Sequence, residues 1–219
     1  MNVYSCSIYH SIKGKRFWPI YEDDSVRVVA VPIQHRIPCF GYVVVEADKV
    51  GTLDVDKAKA LGLQPGPQYA KLKNGESVII VGTGQEVKPE DVLGKGKPGR
   101  KVVILGDTCD TTEIEAFSQN ADAVVHEATM EDSLRDKAIE YGHSTPSMAA
   151  KFAVKVNCRK LLLTHLSPRY KPVSEVQDQE ISANIIKYEA RKYLDENGGE
   201  EIKLLVAEDM EENIIEFSP

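Results

Sequence analysis

Four apolar runs of this 219-residue chain end on His35, Asp107, His126 and His165, and the chain has only five histidines. In layered α/β folds, side chains at the carboxyl ends of strands are held by a rigid sheet yet face a cleft. Neutral imidazole and carboxylate are the donor set of zinc and similar divalent ions. Any one of these histidines alone reads as a core or cap residue. Four strand ends together read as a metal or acid–base site. His143 sits in a turn, Tyr141-Gly-His-Ser-Thr-Pro146, where a side chain with a pKa near neutrality can exchange protons. His126-Glu127 is not the start of an H-E-x-x-H zinc helix, because position 130 is Met. Glu127 reads instead as a carboxylate that orients a ring, or as a plain helix-start carboxylate.

The elements that must position these groups alternate. Residues 26–34 and 41–46 read as strands, as do 101–107, 121–126 and 160–165. Helices are expected over 54–62, 131–141, 146–156 and 180–194. For 146–156, Thr145 is expected to cap and Pro146 to fill the first turn. Short strands are expected at 202–207 and 213–217. Pro65-Gly66-Pro67 makes a rigid turn, and 84–100, with Pro89, Gly94, Gly96 and Pro98, reads as loop. Residues 50–100 therefore resemble an insertion into an α/β layered domain.

The net charge of −7 by itself argues against nucleic acid. The charge is uneven, however. Residues 57–101 carry 9 basic and 4 acidic side chains, whereas 102–219 carry 12 and 23. A basic island in an acidic chain is more often a solvated face than an arm for an anionic polymer. Cys6, Cys39, Cys109 and Cys158 are scattered, with no C-x-x-C, which suits a reducing compartment. No apolar run is long enough for a membrane helix, and Met1–Cys6 has no secretory pattern.

Several stretches, in order, resemble the short-form tRNase Z family of the metallo-β-lactamase superfamily. They are His35-Arg-Ile-Pro-Cys-Phe-Gly-Tyr42, Leu63-Gln-Pro-Gly-Pro-Gln-Tyr-Ala-Lys-Leu-Lys-Asn-Gly-Glu76, Leu105-Gly-Asp-Thr108, His126-Glu-Ala-Thr129, Gly142-His-Ser-Thr145 and Leu163-Thr-His-Leu-Ser-Pro-Arg-Tyr170. The resemblance implies the C-terminal part of an αββα sandwich with a tRNA-binding arm over 50–76 that includes Pro65, Gly66, Pro67, Lys71 and Lys73. It implies His35, Asp107 and His165 as zinc ligands, with two ions in the family's complete site. It implies His143 as proton donor to the leaving 3′-oxygen, Glu127 as its orienting partner and Arg169 near the scissile phosphate; His126 is no ligand in that pattern. The implied activity is endonucleolytic removal of the 3′ trailer from precursor tRNA, by a family that dimerises, in the cytoplasm or nucleus, without a membrane. The family's H-x-H-x-D-H segment has no counterpart here, and residues 1–20 do not resemble it. The chain is accordingly expected to be incomplete as a catalyst. The alternatives are an inactive tRNA-binding fragment and a different hydrolase of the superfamily.

Overall fold

In a computed structural model, the structure describes residues 10–12, 14–171 and 181–217. Cys6 and the Met1–Cys6 start lie outside the described residues, as does residue 180, the expected first residue of the last helix. In chain order the strands are β1 (His10–Ile12), β2 (Lys15–Glu22), β3 (Val26–Ile33), β4 (Cys39–Glu46), β5 (Val78–Ile79), β6 (Glu86–Val87), β7 (Lys101–Leu105), β8 (Ala123–Glu127), β9 (Lys160–Thr164), β10 (Tyr170–Lys171), β11 (Ile181–Ser182) and β12 (Lys203–Val206). The helices are α1 (Val55–Ala60), α2 (Pro67–Lys73), α3 (Pro89–Val92), α4 (Arg135–Glu140), α5 (Pro146–Lys155) and α6 (Asn184–Glu196), with a 3-10 turn at Asp132–Leu134.

The chain divides into two units, one of Met1–Glu46 with Arg100–Glu216 and one of Ala47–Gly99 with Phe217–Pro219. The first is built on an eight-stranded sheet in the order β1-β2-β3-β4-β7-β8-β9-β12. Its strands from β1 to β7 pair antiparallel; β7, β8, β9 and β12 pair parallel. Val43, Val103, Val124, Leu161 and Leu204 point to one side in register and are at most 8% exposed. They share a core with Phe152 and Ala153 of α5 and Ile186, Ala190 and Leu194 of α6. The strand alternation thus meets the apolar stripes of two helices.

Three details depart from the sequence expectation. Thr145 precedes α5, but its hydroxyl makes no cap bond. The Asp132 carboxylate takes that place, accepting from Ser147 N at 3.1 Å and Ser147 Oγ at 2.5 Å. Residues 213–217 form no strand; the carbonyls of Ile214 and Ile215 accept from Lys160 Nζ and Arg100 Nη1 instead. Side-chain cations thus satisfy groups that a neighbouring strand would have used. The span 84–100 holds β6 and α3 rather than loop alone, because Pro89 fits the first turn of α3 and Glu90 and Asp91 suit its N-terminus.

The second unit has its own core of Leu53, Ala58, Leu63, Leu72, Val78, Ile80, Val87 and Val92. Pro65-Gly66-Pro67 opens a helix here as well as turning the chain. Gly66 stands at φ 147°, and Pro67 fills the first position of α2. Pro65, Gly66, Pro67, Lys71 and Lys73 are all exposed.

Cys39, Cys109 and Cys158 are free thiols, and burial pushes Cys158 up to about 12. Among the described residues no helix is long and apolar enough to cross a membrane.

Candidate metal and acid–base site

The polar groups gather where the parallel strands end. Asp107 follows β7 by two residues, Glu127 is the last residue of β8, and His165 follows β9 directly. The turn between α4 and α5 brings in His143. One ligand atom from each of these four residues lies within 4.8 Å of the others. His165 Nδ1 is 3.3 Å from Asp107 Oδ1. His143 stands between two other imidazoles, with ring centroids 5.1 Å from His35 and 5.4 Å from His165. The structure therefore brings together Asp107, Glu127, His143 and His165, and places His35 beside His143 outside that group of four.

Exposure separates the roles. The side chains of Asp107 and His165 are 40% and 50% exposed, but that of Glu127 is 2%. Glu127 is fully engaged. Its Oε1 accepts from Thr108 N at 2.6 Å and from His143 Nδ1 at 3.1 Å. Its Oε2 accepts from Thr129 Oγ1 at 2.5 Å and from Ser144 N at 3.1 Å. A carboxylate with both oxygens occupied orients other groups, and has no oxygen to spare for an ion. By donating from Nδ1, His143 keeps Nε2 free for proton transfer. His35 behaves alike: its Nδ1 lies 2.7 Å from the Gly142 carbonyl, so it is the donor there and Nε2 keeps the lone pair. Gly142 is required at this spot. It has φ +79°, and a Cβ would lie 2.6 Å from His35 Nδ1.

Thr129 joins the two halves of the site. Its hydroxyl has one proton, and both Glu127 Oε2 at 2.5 Å and the His165 carbonyl at 2.9 Å stand ready to accept it. The oxygen in turn lies 3.1 Å from His165 Nδ1. With the proton on the shorter bond to Glu127, Thr129 accepts from His165 Nδ1–H and frees His165 Nε2 as a ligand. His165 is itself held at φ 54°, a conformation costing a non-glycine residue roughly 1–2 kcal/mol. That strain turns the chain out of β9 at the residue whose ring faces Asp107. Sequence reading did not assign roles to Thr129, Thr108 or Ser144. A hydroxyl or backbone N–H carries no signal of its role until the fold brings it to a carboxylate.

His126 points away from this cluster. It is 1% exposed, and its Nδ1 lies 2.7 Å from the Glu127 carbonyl. Burial pushes its imidazole below the ordinary value. The folded chain therefore keeps His126 neutral while the unfolded chain takes up a proton as pH falls below about 6.5. Stability is complete above that pH and declines below it, by up to about 1.4 kcal/mol per pH unit from this group. Urea unfolding between pH 7.5 and 5.5 checks this, and His126→Gln should flatten the decline.

Asp107, His165 and His35 suit zinc in donor type, but three ligands fall short of the four that a zinc ion commonly takes. Asp107→Ala is expected to weaken zinc binding by about 100-fold or more. Thr129→Val, which releases the His165 ring and also removes one donor to Glu127 Oε2 but no metal ligand, should cost about 10–100-fold. Competition titration with a chromophoric zinc chelator ranks the two, and equal losses would contradict these assignments. Arg169 is exposed on a turn four residues after His165. That turn is fixed by Tyr170 N to Ser167 O at 2.9 Å and by Glu131 N to Tyr170 Oη at 2.8 Å.

No protein-family model matches the chain. The chain is 44% identical over 179 residues to zinc phosphodiesterase ELAC protein 1 of Homo sapiens, which covers 80% of this chain and 49% of that protein. It is 45% identical over 148 residues to ribonuclease Z of Archaeoglobus fulgidus, 67% of this chain and 48% of that protein. The crystal structure of the human short-form tRNase Z, ELAC1, superposes with a TM-score of 0.51 at 25% identity, over 91% of this chain and 47% of that one. The resemblance falls on the C-terminal part of these proteins, and the α/β fold is of the metallo-β-lactamase type. The chain spans about half the length of the curated relatives it matches.

Proposed function

We propose that this chain, a relative of the ribonuclease Z and ELAC1 proteins over about half their length, carries the proton-donating half of a zinc-dependent phosphodiesterase site for the 3′ end of precursor tRNA. The observation that carries the reading is the His143–Glu127 pair set against Asp107 and His165 within 4.8 Å. Asp107 and His165, with His35, would hold zinc, two ions being the full complement of the completed site. Bound there, zinc supplies Lewis acidity toward the phosphoryl group. Glu127 fixes the His143 ring through Nδ1, which would leave Nε2 to protonate the leaving 3′-oxygen. Arg169, exposed four residues after His165, would offer a guanidinium to a phosphate. In the second unit, Lys57, Lys59, Lys71 and Lys73 are exposed and would meet backbone phosphates.

Binding and cleavage test different parts. Replacing Lys57, Lys59, Lys71 and Lys73 by Gln spares the core residues Ala58, Leu63 and Leu72. It should weaken tRNA binding and lower the slope of log K against log salt by up to about 4. An unchanged slope removes the arm from the account. For cleavage, the chain is co-expressed with the region of human ELAC1 that precedes the matched part and is given a 3′-extended precursor tRNA. Cleavage at the trailer is expected of the pair. Binding without cleavage by the pair would favour a tRNA-binding module.

A further inference from the structure

The turn that carries His143 also carries an aromatic ring that the acid–base pair does not use. Tyr141 closes α4 and stands two residues before His143, so their Cα atoms lie within about 7 Å of each other. Its side chain is open to solvent, the residue being 39% exposed. Two cations face the ring. Lys137 Nζ lies 5.9 Å from the ring centroid and comes from one turn earlier on α4, where Tyr141 N donates to the Lys137 carbonyl at 3.1 Å. Arg36 Cζ lies 5.6 Å from the same centroid and arrives from the turn between β3 and β4, directly after His35. A lysine one helical turn away is ordinary, but the guanidinium is brought from a distant part of the sequence. Gly142 sets how closely the two turns meet, since a Cβ there would lie 2.6 Å from His35 Nδ1 and 3.1 Å from Arg36 N. Both cations are exposed, and among the described residues neither has a carboxylate partner. A cation–π contact at an exposed site adds little stability, so fold stability is a poor reason for two unpaired cations around one ring.

We propose that Tyr141, Arg36 and Lys137 form a stacking platform for one unpaired RNA nucleotide beside the phosphate that His143 serves. The base lies on the Tyr141 ring and the Arg36 guanidinium plane, and the two cations meet the phosphates on either side of it. The proposal deepens the phosphodiesterase reading and rests on it only for which strand is presented, the unpaired 3′ end. The chemistry selects a single strand. A ring and a guanidinium both stack on the π-face of a base, which a duplex keeps against its own neighbours. The platform's one neutral polar group is the Tyr141 hydroxyl, so it grips a base without reading its identity. Tyr141 is thus a positioning residue. It holds the strand in register against His143 and takes no part in proton transfer.

The test is a titration of a single-stranded RNA hexanucleotide containing 2-aminopurine with this chain alone, without zinc. Stacking on the platform quenches the fluorescence of that base, and saturable quenching is expected. Tyr141→Ala should weaken binding by about 10-fold and abolish the quenching, whereas Tyr141→Phe, which keeps the ring, should stay within about twofold of wild type. Arg36→Gln and Lys137→Gln should each lower the slope of log K against log salt by about 0.7. All three positions are exposed, and urea unfolding confirms that the variants fold. Three outcomes would overturn the proposal: no quenching by the wild-type chain, an alanine variant that binds and quenches as wild type does, or equal affinity for a duplex of the same length, which would leave charge alone as the cause. Because the readout needs neither zinc nor the lysines of the second unit, its failure leaves the zinc and tRNA-binding tests standing, and their failure leaves this one standing.

Discussion

Replacing Glu127 by Ala should destabilise the chain by about 3–5 kcal/mol, a large part of the 5–15 kcal/mol that holds a typical domain together. The carboxylate is 2% exposed and accepts from Thr108 N, Ser144 N, Thr129 Oγ1 and His143 Nδ1. These donors follow three different elements, so Glu127 ties the end of β7 to the end of β8 and to the turn before α5. Alanine leaves two backbone N–H groups without an acceptor in a place that water does not reach. Glu127→Gln keeps the shape but turns one oxygen into an NH₂ facing an N–H or hydroxyl donor, and its cost should fall between wild type and alanine. Urea denaturation at pH 7.5 gives the order. An alanine variant within about 1 kcal/mol of wild type would show that the buried network is not what positions His143.

His143→Ala should lower cleavage of 3′-extended precursor tRNA by the completed pair by about 10²–10⁴-fold, the usual contribution of a positioned proton donor. Zinc content and tRNA affinity should not change, because Asp107, His165 and the lysines of the second unit are untouched. The side chain is 14% exposed, and its loss removes one of four donors to Glu127 without leaving a backbone group unpaired. A stability loss is therefore expected to be modest, which separates it from Glu127→Ala. Loss of zinc along with cleavage would make His143 a ligand rather than the acid.

Much of this site was legible because strand ends advertise themselves. Apolar runs closing on Asp107 and His165 located β7 and β9 within one or two residues, and Pro146 marked α5. β8 was also found, but its last residue is Glu127 rather than His126. Period-2 alternation then settles the matter: His126 turns into the core and Glu127 to the other face. The missing parts share a physical cause. β2 was not expected because Pro19 and the charged Lys15, Arg16 and Glu22 break its pattern, and its register slips between Pro19 and Tyr21. α2 hid behind Pro65-Gly66-Pro67, which signals a turn as readily as a helix start. Asp132 caps α5 from thirteen residues before Thr145, a contact that only the folded chain creates. Thr129 is the instructive case: a threonine two residues after Glu127 suggests nothing until His165 arrives from β9 to donate its Nδ1–H to the hydroxyl oxygen.

The charge distribution follows the same logic. A total of −7 describes neither part of the chain, since 57–101 is basic and 102–219 acidic. Under the proposed function, the exposed lysines of α1 and α2 are the groups that would meet RNA, and the average charge conceals them.

The central claim is that this chain holds the acid pair and only part of the metal ligands. The most direct measurement is the zinc content of the purified chain alone, taken together with its action on a 3′-extended precursor tRNA. The account predicts tRNA binding with fewer than two tightly held zinc ions and no cleavage. Two tightly bound zinc ions per chain, with release of the 3′ trailer, would contradict it.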